Sequence, residues 1–392
     1  MRDPWPQRLR AAGPGESLDR SGGRHRRHGR GPDPDSRASG GAGRASGEDR
    51  LRRRSLWRGR AGLRRRRMPK LRDRAPARSE GGGGMTGLLT ETLPNAAWAR
   101  SPHARLSVLI PFYNDDPRAL LRTLAAQAPA GVELIAFDDG RPDAALNSAV
   151  AETILGLEAP AQLLSSRVNR GRSAARNRMA EAARAGWLLF LDADMVPGPD
   201  FLTRWLLAQQ NTRADALFGG YAPATPRRET RVHALLAASS DPVDAAARSR
   251  LGATAVCSSN LAARRDVVSA VPFEEDYAGW GWEDVDWALS AAQRFQLAHI
   301  DNPAAHAGLE TVDALLAKFA RSGENFARLL QRHPDYAGRP GARLARLLRQ
   351  LRAAGLARLI GAAAARLPLP PRLRVLGVKL FRAGVNARAL QS

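Results

Sequence analysis

Trp187-Leu-Leu-Phe-Leu-Asp-Ala-Asp194 is the stretch on which the fold turns. Five apolar residues run without a break, which suits a strand buried on both faces. The run stops at two carboxylates spaced two apart. Buried bare on the strand, such charges would be very costly. Set just past its end, Asp192 and Asp194 can share a divalent cation, Mn2+ or Mg2+, which prefers hard oxygen ligands. The plain alternative is a polar turn, because Pro197 and Gly198 follow.

The segments around this stretch alternate in kind. Strands are predicted over 106–111, 132–137 and 161–165, and helices over 116–127, 144–157 and 171–185. Strands alternating with helices of this length imply right-handed βαβ units and a mostly parallel sheet. In open sheets of that kind ligands bind beyond the carboxyl ends of the strands. Asn114, Asp138, Asp139, Asp192 and Asp194 all fall there. Farther on, 218–221, 258–262 and 296–301 read as strands, and 201–209, 283–294 and 311–330 as helices. His306 follows the last of those strands; His299 lies inside it and is the weaker ligand candidate.

A chain of 392 residues suffices for one large domain or two smaller ones. Its formal net charge of +23 is uneven, since residues 1–84 hold 24 Lys/Arg against 9 Asp/Glu. That segment is rich in Arg, Gly, Pro and Ser and cannot bury enough surface to offset its ordering entropy. It reads as a disordered basic segment. Arg26, Arg27 and the run from Arg64 to Arg67 would suit nucleic acid or an acidic surface. The plainer readings are a solvated tail, or an untranslated stretch ahead of a start at Met85.

The single cysteine, Cys257, excludes an intramolecular disulfide and a cysteine-based zinc site. No run of 18 or more apolar residues exists, and the N-terminus lacks the apolar core of a signal peptide. The expected location is cytoplasmic, with peripheral contact at the inner face of the membrane. That contact would come from residues 331–392. After Asp335 there is no acid, yet there are twelve arginines and lysines. Leu344, Leu347, Leu348, Leu351 and Leu359 recur near helical spacing. A basic amphipathic helical tail can lie on an anionic membrane or pack on the preceding domain.

Five motifs carry a resemblance. Ile110-Pro-Phe-Tyr-Asn114, Phe137-Asp-Asp-Gly140, Asn169-Arg-Gly-Arg172, Ala175-Arg-Asn177 and Asp192-Ala-Asp194 occur in an order and spacing that resemble glycosyltransferase family 2, over residues 105–330. Arg141-Pro142-Asp143 departs from the family pattern after Asp-Asp-Gly. The resemblance implies an α/β GT-A fold: a Rossmann-like, mostly parallel sheet flanked by helices, here with a C-terminal helical extension. It implies inverting transfer of a sugar from a nucleotide-sugar, most often a UDP-sugar, to a hydroxyl of a saccharide or lipid-linked acceptor in polysaccharide or glycoconjugate synthesis. By the same resemblance, Pro111, Tyr113, Asn114, Asp138 and Asp139 would hold the base and ribose. Asp192 would touch the ribose or reach the metal through water, Asp194 would bind the metal, and His306 stands where many such enzymes supply a metal-ligating histidine. Arg172 and Arg176 lie four apart on one helix face, either facing a pyrophosphate at the positive end of that helix or forming a solvated basic face.

Gly279-Trp-Gly-Trp-Glu-Asp-Val-Asp-Trp287 resembles a motif of the β-1,4-galactosyltransferases and chondroitin-type polymerases. The last acid of its Glu-Asp pair is the general base there, which implies Asp284 here. An acceptor hydroxyl is a poor nucleophile until a carboxylate takes its proton, and the first turn of a helix keeps such a carboxylate ionised. Glu283 would hydrogen-bond the acceptor sugar, and Trp280 and Trp282 would offer flat faces to it. The competing reading makes the tryptophans core and the acids a helix cap. Two other functions are weighed. A sugar nucleotidyltransferase needs a Gly-rich triphosphate loop after its first strand, where this chain has Pro111-Phe-Tyr-Asn-Asp-Asp116. A nucleic-acid-binding protein using the basic N-terminal arm leaves the acidic motifs unexplained, so no nucleic-acid partner is expected.

Overall fold

The computed structural model describes residues 91–390 apart from Pro142, Ala224 and Asp241. The segment 1–84, read above as disordered, lies outside the described residues. The chain enters through an edge strand, β1 (Glu91–Pro94), and a short helix, α1 (Ala96–Arg100). Three strand–helix units follow: β2 (Leu106–Phe112) and α2 (Arg118–Gln127), β3 (Val132–Asp138) and α3 (Ala144–Leu155), β4 (Ala161–Ser165) and α4 (Arg172–Ala182). Next come β5 (Trp187–Leu191), β6 (Met195–Pro197), α5 (Phe201–Asn211), β7 (Ala216–Phe218) and β8 (Tyr221–Ala222). Helices α6 (Arg231–Ser240) and α7 (Ala245–Leu251) lead to β9 (Asn260–Arg264) and α8 (Arg265–Ala270). After α9 (Glu283–Ala291), β10 (Leu297–His299) and β11 (Ala304–His306), the chain is helical: α10 (Val312–Ala320), α11 (Gly323–Arg332), α12 (Pro340–Gln350), α13 (Ala354–Arg366) and α14 (Pro371–Ala389).

The main sheet has eight strands in the order β1-β4-β3-β2-β5-β9-β7-β10, and β6, β11 and β8 form a second, small sheet. β4, β3, β2 and β5 run parallel, whereas β9 is antiparallel to both of its neighbours. Every residue of β3 is buried, and in β2 only Pro111 is not. Alternate residues feed two cores, as the two-residue period of a strand requires. Val108 and Ile110 join Leu120, Leu121, Leu124 and Ile154 on one face; Leu109 joins Met179, Phe190, Val267 and Trp287 on the other. Glu133 in β3 is buried, but its carboxylate accepts hydrogen bonds from Ser107 Oγ at 2.6 Å, Arg184 Nε at 2.7 Å and Arg184 N at 2.8 Å. The strand order reverses between β2 and β5. A crevice forms at such a reversal, beyond the carboxyl ends of the two strands.

The first half follows the periodicity of its sequence closely. The second half departs from it in three places. The strand expected over 218–221 divides at Gly219-Gly220, with β7 in the large sheet and β8 in the small one. A Cβ on Gly219 would lie 2.5 Å from the Asn260 side chain, so the backbone there turns where a side chain has no room. The helix expected over 311–330 breaks between α10 and α11 at Arg321 and buried Ser322, whose hydroxyl bonds back to Phe319 O at 2.9 Å. The strand expected over 258–262 starts two residues later.

β1 pairs with β4, and Asn95 Nδ2 donates to Leu157 O and Ala159 O at 2.9 Å, so the sheet begins before residue 105. At the other end α14 packs on α6, α10 and α11, which ties the C-terminal helical extension to the domain. No helix among the described residues is long and apolar enough to cross a membrane. α13 and α14 approach closely enough that a Cβ on Gly361 would sit 2.4 Å from Phe381 N and 2.7 Å from Gly377 O. Gly361→Ala is therefore expected to destabilise the protein by about 1–3 kcal/mol through overpacking. Urea unfolding of the variant beside the wild type measures it; an unchanged midpoint would contradict the close approach.

Candidate active site

β5 ends at Leu191, and the next residues turn. Met195 N bonds to Asp192 O at 3.1 Å, which swings Asp192 and Asp194 out over the crevice on either side of buried Ala193. The small sheet then delivers His306. β11 pairs antiparallel with β6, with His306 opposite Met195 and Ala307 N bonded to Asp194 O at 2.9 Å. His306 Nε2 lies 3.2 Å from Asp194 Oδ2. Burial raises the Asp194 carboxyl above its usual range, and the His306 charge works against that rise. Gly308 closes the corner: a Cβ there would fall 2.1 Å from Asp194 Oδ2. A carboxylate and an imidazole nitrogen thus converge on a spot that the chain keeps clear of side-chain atoms. Among the described residues no group of three or more His, Cys, Asp or Glu is arranged as a complete metal cage. Asp194 and His306 supply one carboxylate and one imidazole nitrogen, donor types that a divalent cation can accept.

α4 supplies the link to the other half of the crevice. Arg176 is only 2% exposed. Its Nη2 lies 3.3 Å from Asp192 Oδ1, its Nη1 donates to Glu283 Oε1 at 3.2 Å, and its guanidinium lies 5.5 Å from the Phe273 ring centroid. Burial alone would lower the Arg176 pKa, but Asp192 and Glu283 outweigh it and hold the guanidinium charged. A buried guanidinium shared by two acids has the geometry of a strut between them. Arg172, on the first turn of α4, is exposed and only loosely paired to Glu283 at 3.9 Å, so it remains available to an anion.

The Trp-Gly-Trp-Glu-Asp segment also divides between the two readings. Gly279 and Gly281 take φ of +76° and +86°, and Trp282 takes +83°, a left-handed conformation costly for a bulky residue. Packing over-determines it. The Trp282 ring is 5.1 Å from Phe326 and 5.9 Å from Tyr336 between centroids, and Arg382 lies 4.5 Å from its own centroid. Asn325 Nδ2 donates to Ala278 O and Gly281 O at 2.9 and 3.0 Å. Trp282 is therefore core, not a sugar platform. Trp280 is half-buried, edge-on to Phe319 at 5.3 Å. Glu283 is buried and turned inward to Arg176.

Asp284 keeps a different setting. It is partly buried at the first turn of α9 and accepts from Val285 N at 2.9 Å and from the Cys257 thiol at 3.0 Å. Burial, then the neighbouring Glu283 charge, raise its pKa above the ordinary carboxylate value. Burial and Asp284 push the Cys257 thiol up in turn, so it stays protonated and donates. α9 is anchored by Trp287, stacked on Phe273 at 5.3 Å and bonded through Nε1 to Val271 O. Asn177 clamps Phe273 by both its N–H and its carbonyl at 2.9 Å.

The nucleotide-side residues lie along the ends of β2 and β3. Pro111 and Tyr113 are partly buried and Asn114 is exposed. Asp138 and Asp139 are buried and committed to the loops beside them. Asp138 accepts from Arg141 N and the Asn147 side chain, and Asp139 from Arg170 N and Gly171 N at 3.0 and 2.9 Å. They shape the crevice wall rather than standing free in it. His299 bonds Gly252 O from within β10, away from Asp194. His233 on α6 was not foreseen: its ring centroid lies 6.2 Å from that of His306, its Nδ1 accepts from Glu310 N, and burial with the His306 charge lowers its pKa to about 4. A lone histidine in a helix without a motif offers no signal in sequence.

An eight-stranded, mostly parallel sheet with this crevice defines a GT-A-type α/β fold. Residues 107–271 match the Glycosyl transferase family 2 model. The match takes in Asp192 and Asp194 but stops short of Asp284 and His306. "Uncharacterized glycosyltransferase YibD" of Escherichia coli (strain K12) is 37% identical over 92 residues, which are 23% of this chain and 26% of that one. The chain thus spans about a quarter of that relative's length. Among solved structures, the mannosyltransferase PcManGT of Pyrobaculum calidifontis, in complex with GDP-Man and Mn2+, is similar with a TM-score of 0.50 at 18% identity, over 76% of this chain and 90% of that one. That likeness is one of fold.

Replacing Arg176 by methionine would leave Glu283 buried without its partner. A loss of about 3–5 kcal/mol in unfolding free energy is expected. Loss of activity with unchanged stability would contradict the strut and restore a ligand role.

Proposed function

We propose that this protein is an inverting glycosyltransferase that moves a sugar from a nucleotide-sugar to a hydroxyl of a saccharide or lipid-linked acceptor. One observation carries the reading: Asp194 and His306 converge at one side of the crevice, and Asp284 stands at the other with its partner thiol protonated. Asp194 and His306 would hold the divalent cation, and Arg172 at the α4 N-terminus would meet the diphosphate. When bound, the cation neutralises charge on the departing nucleoside diphosphate. Asp284 takes the acceptor proton as the hydroxyl attacks the anomeric carbon and the bond to the diphosphate breaks. Tyr113 and Asn114 would border the base and ribose, and Trp280 remains the aromatic face nearest the acceptor side. UDP is the proposed nucleotide from the Asp-x-Asp pattern. The Pyrobaculum neighbour's complex with GDP-Man and Mn2+ supports a sugar-nucleotide with a divalent metal and makes GDP the comparison to run. The resemblance of the Trp-Gly-Trp-Glu-Asp segment to the galactosyltransferase type supports Asp284 as the base. Synthesis of a polysaccharide or glycoconjugate, on the cytoplasmic side, is the setting this chemistry suits.

Nucleoside diphosphate release from UDP- and GDP-sugars, with Mn2+ and with chelator, tests the reading. Asp194→Ala should abolish metal-dependent release. Asp284→Asn should lower kcat by about 10²–10⁴-fold while leaving the donor KM near that of wild type. Equal activity in wild type and Asp194→Ala would sink the metal role.

The raised Asp284 pKa gives a pH signature. Asp284 must be ionised to act, so activity falls as pH drops through its pKa. The acid limb of kcat/KM is expected above the ordinary aspartate value of 3.8 and absent from the residual activity of Asp284→Asn. A limb at the ordinary value would argue for another base.

A further inference from the structure

α14 buries Val375, Val378, Phe381 and Val385 in the core, whereas α12 and α13 are built inside out. Their buried positions are small: Ala342 and Ala345 on α12, Ala357, Gly361 and Ala365 on α13. Their large apolar side chains face outward. Leu347 on α12, Leu351 just past its end, Leu356, Leu359 and Ile360 on α13, and Leu376 on α14 are all exposed, Leu359 at 70% and Leu351 at 66%. Leu367 and Leu369, in the turn between α13 and α14, are exposed as well. A water-facing helix shows the opposite arrangement, with leucine inside and charge outside. The small inner residues let the three helices pack closely on one another, which fixes the leucines in place rather than leaving them on a floppy tail.

The charge on the same helices is one-sided. No acid follows Asp335, and twelve arginines and lysines do. Arg349, Arg372 and Lys379 are exposed among the leucines. Long cationic side chains beside exposed leucines match the boundary between lipid headgroups and acyl chains: the leucines enter the apolar layer and the cations stay at the anionic headgroups. A water-soluble acidic protein would match the charge but not the number of protruding leucines.

We propose that the outer face of α12–α14 docks in plane on an anionic lipid bilayer. The full-length chain would be sedimented with vesicles of phosphatidylcholine alone and of phosphatidylcholine mixed with phosphatidylglycerol. Binding to the mixed vesicles is expected, falling with added salt. The double variant Leu359→Asp, Ile360→Asp alters two exposed side chains and should keep the wild-type thermal unfolding transition while losing about tenfold or more in vesicle affinity. Equal binding by wild type and variant would overturn the proposal, as would a wild type that ignores both vesicles. So would a lipid-independent dimer, seen by sedimentation velocity, that the variant dissolves, because the face would then join two copies of this chain. Lipid binding is read without any sugar donor, so its failure and that of the glycosyl-transfer reading are separately visible.

Discussion

The buried guanidinium of Arg176 is the constraint around which the crevice is organised. It stands on α4, outside both acidic motifs, yet it holds one member of each: Asp192 from the end of β5 and Glu283 from the start of α9. The neighbours of those two acids, Asp194 and Asp284, are the ones to which the proposed function assigns the metal and the acceptor proton. Charge buried as deeply as Arg176 and Glu283 is costly unless paired, so these two, with partly exposed Asp192, favour this geometry over others. Phe273, beneath the guanidinium, ties the same point to Trp287 and to Asn177. The two sides of the crevice are thereby held at a fixed separation before any ligand arrives.

The strain at Trp282 belongs to the same economy of placement. A tryptophan at positive φ would be rejected in most settings. Here Phe326, Tyr336 and Arg382 grip the ring while Asn325 holds the backbone on both sides. The result is an abrupt start to α9, with Glu283 turned in and Asp284 turned toward Cys257. Catalytic loops commonly store strain of this kind, over-determined by the packing around them.

Much of the fold was legible because strand and helix periods are strong where both faces are buried. β4 and β5 fall where their apolar runs begin and end, and the alternation around them implied the parallel sheet and its crevice. The nearness of Asp194 and His306 was legible only through family resemblance, since nothing in local pattern shows that β11 pairs with β6. Side-chain direction was the harder part. Arg172 and Arg176 share a helix face by spacing, yet one is exposed and the other buried among Asp192, Phe273 and Glu283, residues far off in the sequence. Two tryptophans beside two glycines suggested a sugar platform, but whether an aromatic faces solvent depends on distant partners such as Phe326 and Phe319. Of the leucines after residue 340 that recur at helical spacing, Leu344, Leu347, Leu351 and Leu359 are exposed while Leu348 packs inward.

The three-residue strand β11 carries a consequence beyond its size. Side chains alternate across a strand, so sliding β11 by one residue along β6 would bring Ala305 or Ala307 opposite Met195 and turn the imidazole to the far face. β8, pairing on its other edge through Ala304 and Ala305, fixes the alignment from the opposite direction. The donor side of the crevice is thus assembled by segments more than a hundred residues apart, and it stays incomplete until the second half of the chain has folded onto the first. A partly folded chain would carry the aspartates without the histidine, so the pairing of Asp194 with His306 is confined to the finished protein.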